Sequence, residues 1–217
     1  MSFETKYQNI LSQLPKNVKL VTVSKTNPAG KIKEVYDLGQ RAFGENKVQE
    51  LLEKQAVLPN DIEWHLIGHL QSNKVKFVAG FISMIESVDS EKLLKEIDKE
   101  ALKNNRKINV LLQVKIAKEE TKFGLTVDEA KEIFNNYLNG KYPNIEVKGL
   151  MGMASFVDDE VQIREEFGIL KQLFDELSGL KPLETLSMGM SGDFPLAIEC
   201  GSNSVRVGSA IFGERNY

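Results

Sequence analysis

Short apolar, strand-like runs alternate with amphipathic, helix-like segments along nearly all of this 217-residue chain, and few folds accept that pattern. Residues 2–14 repeat apolar side chains at helical spacing and predict an N-terminal helix. The predicted strands are 19–25, 41–45, 63–68, 81–87, 108–116, 147–153, 185–189 and 204–208, and the predicted helices between them are 30–40, 46–56, 70–79, 90–104, 126–138, 158–178 and 193–200. Because each crossover carries a helix over the sheet, the strands should be parallel.

Two architectures accept this alternation, an open doubly wound sheet and a closed barrel. Eight strand-like runs favour the barrel. No linker rich in Pro, Gly or Ser divides the chain. We therefore predict an α/β fold, a single (β/α)8 TIM-type barrel with an extra N-terminal helix, in which residues 1–217 form one domain.

Charge and composition argue against several classes of protein. The net charge of -3 gives no general affinity for nucleic acid or anionic membranes. No apolar run is long enough to span a bilayer, and the N-terminus lacks the apolar region of a signal peptide. Cys200 is the single cysteine, so no internal disulfide can form and we expect a reduced, cytoplasmic protein. No His, Cys and carboxylate cluster has metal-ligand spacing, so we predict no metal site.

In parallel α/β folds the binding groups gather at the C-terminal ends of the strands. The polar residues near the predicted strand ends are Ser24, Lys25, Thr26, Glu45, Asn46, His65, Lys115, Ser187 and Arg206. Lys25 ends an apolar strand, where low-dielectric walls lower a lysine pKa and make the neutral amine a nucleophile toward aldehydes. A lysine that simply extends to solvent is the alternative interpretation.

The last two predicted strands carry the pattern of an anion site. Ser187, Gly189, Ser191 and Gly192 follow or end strand seven, and Gly208 and Ser209 follow strand eight. Small residues let backbone N–H groups approach a phosphate, and barrels often bind phosphate at these two loops. Tight turns alone would also explain the glycines. Arg206 shares its orientation with Gly208, so it points into the barrel and needs an acceptor, with a buried ion pair to Glu45 or Glu86 as the alternative role.

Six segments together resemble one known family. They are VTVSKT (21–26), FGENKVQE (43–50), WHLIGHLQSNK (64–74), LMGMAS (150–155), LSMGMSGDF (186–194) and VRVGSAIFG (205–213). Their order and spacing are similar to those of the pyridoxal phosphate homeostasis protein family over nearly the whole chain. That family resembles the N-terminal barrel of alanine racemase and has the type III fold of pyridoxal phosphate proteins.

The resemblance implies pyridoxal 5'-phosphate (PLP) as the cofactor, held as a Schiff base on Lys25. It also implies that the Ser187 hydroxyl and the backbone amides of Gly208 and Ser209 hold the phosphate, and that Arg206 contacts the pyridine nitrogen. The remaining implied neighbours of the cofactor are Asn46 near the ring, His65 behind it, and Met188, Gly189 and Ser191 along the turn after strand seven. Because arginine stays protonated, the ring nitrogen would accept a hydrogen bond and remain neutral.

A carrier and an enzyme are the competing functions. A racemase needs acid–base groups on both faces of the substrate Cα, and none of Tyr7, Tyr36, Tyr137, Tyr142 and Tyr217 is an obvious second base. The resemblance implies a non-enzymatic protein that buffers PLP and delivers it to apo-enzymes, with effects on vitamin B6 and amino-acid balance. The alternatives are a weak racemase or another PLP enzyme acting on a small amino acid, and a phosphate-sugar enzyme on the same barrel.

Several other residues carry weaker expectations. Lys74, Lys76, Lys115, Lys118 and Lys122 could form an entry patch or a second site for PLP. The acidic run 158–166 is typical of a solvated helix face, with a partner surface as the alternative. Asp193 should cap a helix, Cys200 should be buried, and we expect a monomer without nucleic acid or membrane partners.

Overall fold

The computed structural model describes residues 2–118 and 123–213. Within these ranges eight parallel strands pair in chain order, and the last pairs back with the first to close a barrel. The prediction of a (β/α)8 barrel with an additional N-terminal helix is confirmed, and the open sheet is excluded. In the closing pair, Lys19 lies opposite Ser204 and Val21 lies opposite Arg206.

The strands lie inside the predicted runs or within two residues of them. They are β1 (Lys19–Val23), β2 (Ala42–Glu45), β3 (Glu63–Leu66), β4 (Met84–Val88), β5 (Ile108–Gln113), β6 (Ile145–Met151), β7 (Thr185–Met190) and β8 (Ser204–Val207). β5 is buried along nearly its whole length, because one face lies inside the barrel and the other lies under helices. β4 begins three residues later than predicted, since residues 81–83 still belong to the preceding connection.

The helices form the outer layer. They are α1 (Phe3–Gln13), α2 (Ala29–Asp37), α3 (Val48–Gln55), α4 (Val75–Val78), α5 (Glu91–Lys103), α6 (Val127–Leu138), α7 (Glu160–Ser178), α8 (Phe194–Glu199) and α9 (Ser209–Phe212). The Ser90 side chain caps the N-terminus of α5, and Thr126 and Glu129 form a capping box at the start of α6. The predicted helix 70–79 is wrong in length, because a 3-10 turn at Ser72–Lys74 precedes the single turn of α4. The short α9 was not predicted.

The first and last helices meet on one side of the barrel. The rings of Phe3 in α1 and Phe212 in α9 contact edge to face, with 6.2 Å between centroids. The Tyr7 hydroxyl donates to Gln40, whose amide in turn donates to the carbonyls of Leu20 and Ala42. α1 is therefore tied to the base of β1 and β2 by buried hydrogen bonds as well as by apolar packing.

The two faces of the sheet divide the core. Inward side chains fill the barrel, and outward ones pack beneath the helices, as expected for strands whose side chains alternate. No helix in the part of the chain that the structure describes is long and apolar enough to cross a membrane.

Candidate functional site

A cavity of about 620 Å³ opens at the C-terminal ends of the strands. Its size suits a small organic ligand. Of the residues predicted for the site, six line it, and they come from the first two and last two strands or the turns after them: Lys25, Asn46, Ser191, Arg206, Gly208 and Ser209. The chain thus brings together groups from its beginning and its end, because β1 and β8 are neighbours in the closed barrel.

Four predicted site residues do not line this cavity: His65, Ser187, Met188 and Gly189. His65, Ser187 and Met188 are all buried, with exposed fractions of 3%, 0% and 0%. His65 and Ser187 lie inside the barrel beneath the cavity, where they contact Glu86. The Ser187 hydroxyl therefore donates to the Glu86 carboxylate and does not face the cavity.

Lys25 follows β1 in a tightly held turn and is half-buried. Its carbonyl accepts hydrogen bonds from the Thr26 hydroxyl at 2.6 Å and from the Asn27 amide at 3.2 Å. Thr26 has a φ of 66°, in the left-handed region that a β-branched residue rarely enters. The backbone around Lys25 is therefore held in a strained conformation by its surroundings.

A buried cluster on the helix side of the sheet, here called the outer cluster, consists of Ser24, Glu45, Glu50 and Lys54. Lys54 of α3 is only 4% exposed. Its ammonium donates to Glu45 at 2.6 Å, to Glu50 at 2.7 Å and to the Ser24 carbonyl at 2.9 Å. Glu45 also accepts from the Ser24 hydroxyl at 2.6 Å. Sequence reasoning missed Lys54, because a lysine four residues after Glu50 in a helix is typical of a solvated surface pair.

The outer cluster fixes the main chain on both sides of Lys25. Lys54 binds the carbonyl that precedes it, and Glu50 accepts the Thr26 amide that follows it, at 2.5 Å. Burial raises the pKa of Glu45, and the opposing effect of Lys54 is smaller. One reason is that both donors reach the same oxygen, and Glu45 Oε2 is buried with no hydrogen-bond partner among the described residues.

A second buried cluster, here called the inner cluster, lies inside the barrel beneath the cavity and consists of His65, Glu86, Ser187 and Arg206. Glu86 accepts from His65 Nδ1 at 2.6 Å through one oxygen and from the Ser187 hydroxyl at 2.6 Å through the other. Arg206 Nη1 donates to the Ser187 oxygen at 2.5 Å and lies 3.9 Å from Glu86. Since β4 and β8 are on opposite sides of the barrel, these contacts must cross its interior.

The inner cluster also decides the alternative roles predicted for Arg206. Its partner is Glu86 and not Glu45, which faces the helices. Burial raises the pKa of Glu86, but the His65 hydrogen bond and the charges of His65 and Arg206 outweigh burial and hold that pKa below its usual range. Burial lowers the pKa of Arg206, against the effects of Glu86 and Asp193. Arg206 nevertheless lines the cavity, so one buried side chain belongs to both an ion pair and the site.

The turns after β7 and β8 form a cradle of small residues. The Gly208 amide donates to the Ser191 hydroxyl at 3.2 Å, which joins the two turns. A side chain at Gly208 would place Cβ 2.9 Å from the Val23 carbonyl, so only glycine fits between β1 and the cavity.

Asp193 stands at the N-cap position of α8, but the prediction that it caps the helix is wrong: its carboxylate accepts the Met190 amide at 2.6 Å instead.

A buried carboxylate on α7 holds another wall of the cavity. Glu166 is fully buried and accepts from the amide and hydroxyl of Ser155 at 2.6 and 2.7 Å and from the Lys118 amide at 3.0 Å. Burial raises its pKa, but the hydrogen bonds from the Ser155 and Lys118 amides and from the Ser155 and Gln162 side chains together hold that pKa below its usual value. The interpretation of 158–166 as a solvated face is therefore wrong at Glu166, which binds two loops together.

Cys200, expected to be buried, is only half-buried at the end of α8.

The tyrosines within the described residues all lie away from this cavity. The hydroxyl of Tyr36 donates to Asp61, that of Tyr137 to Glu146 and that of Tyr142 to Glu91, while Tyr7 binds Gln40 as described above. Tyr217 lies outside the described residues.

The lysines of the predicted entry patch do not line this cavity either. Lys115 and Lys118 are exposed, and Lys118 pairs with Glu165 at 3.1 Å. Lys74 lies in the 3-10 turn, and the Lys76 ammonium lies 5.0 Å from the centre of the Phe77 ring. Lys122 falls outside the described residues, so the patch stays a prediction.

Over residues 2–118 and 123–213, no group of three or more His, Cys, Asp or Glu side chains could hold a metal ion.

Taken together, the cavity presents a primary amine, a buried guanidinium and a cradle of small residues. An amine attacks electrophilic carbonyl groups, a guanidinium only donates hydrogen bonds, and backbone amides suit anionic oxygens. The arrangement fits a small phosphorylated aldehyde with a ring acceptor, and glycine at position 208 lets the turn after β8 lie close against Val23 of β1.

Comparisons with known proteins agree with this chemistry. The sequence model of the family described as alanine racemase, N-terminal domain, matches residues 2–216. A relative from Aquifex aeolicus (strain VF5), named pyridoxal phosphate homeostasis protein, is 44% identical over 202 residues, which cover 92% of this chain and 88% of the relative. The structure of PipY from Synechococcus elongatus PCC7942 with PLP bound has a TM-score of 0.88 and 35% identity, and covers 98% of this chain and 100% of PipY.

A more distant structure shares the fold alone. Alanine racemase from Bartonella henselae is 18% identical, with a TM-score of 0.75, and the match covers 99% of this chain but 60% of the racemase.

Proposed function

This chain belongs to the pyridoxal phosphate homeostasis protein family, within the wider family of the alanine racemase N-terminal domain, and from that premise we propose that it binds PLP reversibly, buffers it and delivers it to apo-enzymes. In this role it would influence vitamin B6 and amino-acid balance. The observation that carries the proposal is that Lys25, Arg206 and the cradle at Ser191 and Gly208 line one cavity. PipY, which is described with PLP bound, supports the choice of ligand.

Lys25 provides the covalent anchor in this proposal. Its amine, in the neutral form, would hold PLP through a Schiff base at the aldehyde carbon, a bond whose formation releases one water and which hydrolysis would reverse. When bound, PLP supplies an electron sink that stabilises negative charge on an attached carbon. The outer cluster holds the main chain around Lys25, which keeps the amine at the end of β1.

The phosphate is assigned to the Ser191 hydroxyl and the Ser209 backbone amide, whereas the Gly208 amide, which the resemblance also implied, donates its one hydrogen to Ser191. This replaces the predicted contact from the Ser187 hydroxyl, which is buried against Glu86 and Arg206. Ser191 lines the cavity and already accepts the Gly208 amide, so its hydroxyl hydrogen is available to a phosphate oxygen. Arg206 donates to the pyridine nitrogen, and Asn46 lies beside the ring.

A carrier is favoured over an enzyme because the carboxyl groups among the described walls of the cavity are poorly placed as a second acid–base group: Asp158 is exposed to solvent, and Asp193 accepts the Met190 amide. Racemisation needs proton transfer on both faces of the substrate, and Lys25 serves one face. Each tyrosine that the structure describes is hydrogen-bonded to another residue away from this cavity. The exposed side chains of Phe156 and Asp158 line the cavity, so water has access to the bound ligand.

We extend the proposal to the setting of the protein. Residues 1–217 act as one cytoplasmic PLP-binding domain that works as a monomer, without nucleic acid or membrane partners. A single, half-buried cysteine and a net charge of -3 support this setting.

The test is the absorption spectrum of the protein with PLP, before and after borohydride reduction. We expect a visible band for the wild type that borohydride abolishes while the cofactor becomes irreversibly attached to the protein, and neither the band nor the attachment for Lys25→Ala. Lys33→Ala is the matched control, because Lys33 is an exposed lysine on α2. A reducible band that survives in Lys25→Ala would overturn the assignment of the anchor, and no band in the wild type would overturn the cofactor.

A separate measurement distinguishes the carrier from the racemase. L-alanine or D-alanine is incubated with the PLP-loaded protein in deuterated water, and loss of the α-hydrogen signal is followed. Exchange at the rate of free PLP supports the carrier. Exchange well above that rate, abolished in Lys25→Ala, would make the enzyme the better interpretation.

A further inference from the structure

A charged layer inside a barrel is unusual, because barrel interiors are filled mainly by branched apolar side chains. Here Glu86 and Arg206 are 0% and 3% exposed and project from opposite strands into the same interior space. Taking a carboxylate and a guanidinium out of water costs several kcal/mol for each ion, and an apolar pair often replaces a buried ion pair without loss of stability. Stability alone therefore does not account for this pair.

The hydrogen bonds of the inner cluster have only one possible direction. An ionised Glu86 can only accept, so His65 Nδ1 and the Ser187 hydroxyl must each donate to it. A serine hydroxyl has one hydrogen, so Ser187 can only accept from Arg206 Nη1. The chain therefore runs from Arg206 through Ser187 to Glu86, and His65 holds the far oxygen of that carboxylate.

This chain fixes the orientation of the guanidinium. Arg206 donates through Nη1 to Ser187 and through Nη2 to the Gly152 carbonyl at 3.0 Å, so two of its five N–H groups point away from the cavity. A planar group held at two atoms cannot rotate, and the same side chain lines the cavity. At 3.9 Å the carboxylate is too far from Arg206 for a direct hydrogen bond, so Ser187 is the link between them.

We propose that Glu86, acting through Ser187, is the positioning residue that keeps Arg206 aimed at the ring nitrogen of bound PLP. The proposal rests on the proposed function, because it requires PLP in the cavity. Glu86 does not contact the ligand. It sets how strongly the ring nitrogen is bound and how the bound cofactor absorbs light.

The experiment compares Glu86→Gln, Arg206→Met and the double variant, each loaded with PLP. Equilibrium dialysis gives the PLP dissociation constant, and spectra across pH give the position and titration of the visible band. Glu100→Gln is the control, because Glu100 is a buried carboxylate at 6% exposure on α5, outside this cavity. We expect Glu86→Gln to raise the dissociation constant about tenfold and to shift the band, and Glu100→Gln to change neither.

The double variant separates positioning from simple stabilisation. If Glu86 acts through Arg206, Glu86→Gln has no further effect on the dissociation constant or the band once Arg206 is Met. Fully additive effects of the two substitutions, or a wild-type spectrum and affinity for Glu86→Gln, would overturn the proposal. Absence of the band in the wild type is a different result, since it would remove the proposed function itself.

Variants at Ser187 keep the test decisive if Glu86→Gln does not fold. Ser187→Ala removes the linking hydroxyl and leaves both charges in place, so it should reproduce the band shift and weaken PLP binding. Ser187→Thr retains a hydroxyl and should restore the wild-type band. Failure of Ser187→Ala to move the band, in a variant with a native circular dichroism spectrum, would also overturn the proposal.

Discussion

Glu45 and Glu86 are both completely buried carboxylates of the same sheet, yet their pKa values move in opposite directions. Glu45 has a direct partner in Lys54 at 2.6 Å, whereas Glu86 has His65 at 2.6 Å and Arg206 at 3.9 Å. Both oxygens of Glu86 accept hydrogen bonds, while among the described residues Glu45 has one occupied and one unpartnered oxygen. The charged form of a buried carboxylate is thus favoured when donors reach both of its oxygens and more than one positive group lies nearby.

The two clusters also hold different parts of the site. The outer cluster binds main-chain atoms on either side of Lys25, and so fixes where that side chain begins. The inner cluster binds the Arg206 side chain itself, and so fixes a charged group that lines the cavity. We expect loss of the outer cluster to loosen a turn, and loss of the inner cluster to leave a charge without compensation.

The largest effect should follow from Glu86→Ala. Removal of this carboxylate leaves the buried Arg206 guanidinium without its countercharge, and the free energy of unfolding should fall by about 3–5 kcal/mol. Urea denaturation at neutral pH measures the change, with Glu100→Ala as a control that lies outside the barrel. An equal loss in Glu45→Ala would contradict the distinction between the clusters, because Glu45 is expected to cost less.

A smaller effect is expected for Lys54→Met. The variant leaves Glu45 without its ammonium partner, but a carboxyl whose pKa burial already raises can take up a proton, so the loss should be about 2–3 kcal/mol. Adding Glu45→Gln replaces the unpaired carboxyl with a neutral amide and should recover part of the lost free energy of unfolding. Urea denaturation of the single and double variants tests this, and a double variant less stable than Lys54→Met would show that Glu45 contributes independently of Lys54.

The pH dependence should separate the clusters by sign. The pKa of Glu86 is lowered on folding, so its contribution to stability is present above the unfolded value of about 4.3 and is lost as the pH falls through the lower folded value. The pKa of Glu45 is raised, so its contribution is present below the unfolded value and is lost as the pH rises through the higher folded value. Urea midpoints of Glu86→Gln and Glu45→Gln, measured against the wild type across pH, should therefore change in opposite senses. If the urea midpoints of the two variants changed in the same direction with pH, the opposite pKa shifts of Glu45 and Glu86 would be refuted.

The smallest effect should come from Thr26→Gly. Glycine relieves the strain of the φ of 66° but adds freedom to the unfolded chain, and these two effects nearly cancel, so stability should change by less than about 1 kcal/mol. Asn105→Gly, at the other non-glycine residue with positive φ in the described ranges, is the control outside the outer cluster. A loss well above that size in Thr26→Gly alone would mean that its hydroxyl bond to the Lys25 carbonyl contributes more than the strain.

The barrel and the walls of its cavity could be predicted from local pattern. Strands, helices and the small-residue turns after β7 and β8 are properties of neighbouring residues, and the rule that ligands bind at strand ends places Lys25 and Arg206 without knowledge of the fold in detail. The ends of the elements were less predictable, as at α4 and β4, because tertiary contacts decide where a short helix stops.

The two clusters could not be predicted in the same way. Glu86 and Ser187 are 101 residues apart and meet only when the barrel closes. Lys54 and Glu166 lie in amphipathic helices where charged residues are normally solvated, and no periodicity distinguishes a buried exception. Ser187 and Ser191 occupy one short segment, so sequence alone did not show which hydroxyl faces the cavity.

The closing pair of β1 and β8 has a consequence for the order in which the protein is made. Lys25 and Asn46 emerge from the ribosome well before Ser191, Arg206 and Gly208. Until β8 is available, β1 has one unpaired edge and Lys25 faces neither the guanidinium nor the cradle of small residues. Such distant pairings form slowly, because a long loop must close first. The cavity is therefore assembled only after β8 has been made, and a shorter nascent chain presents Lys25 without its other walls.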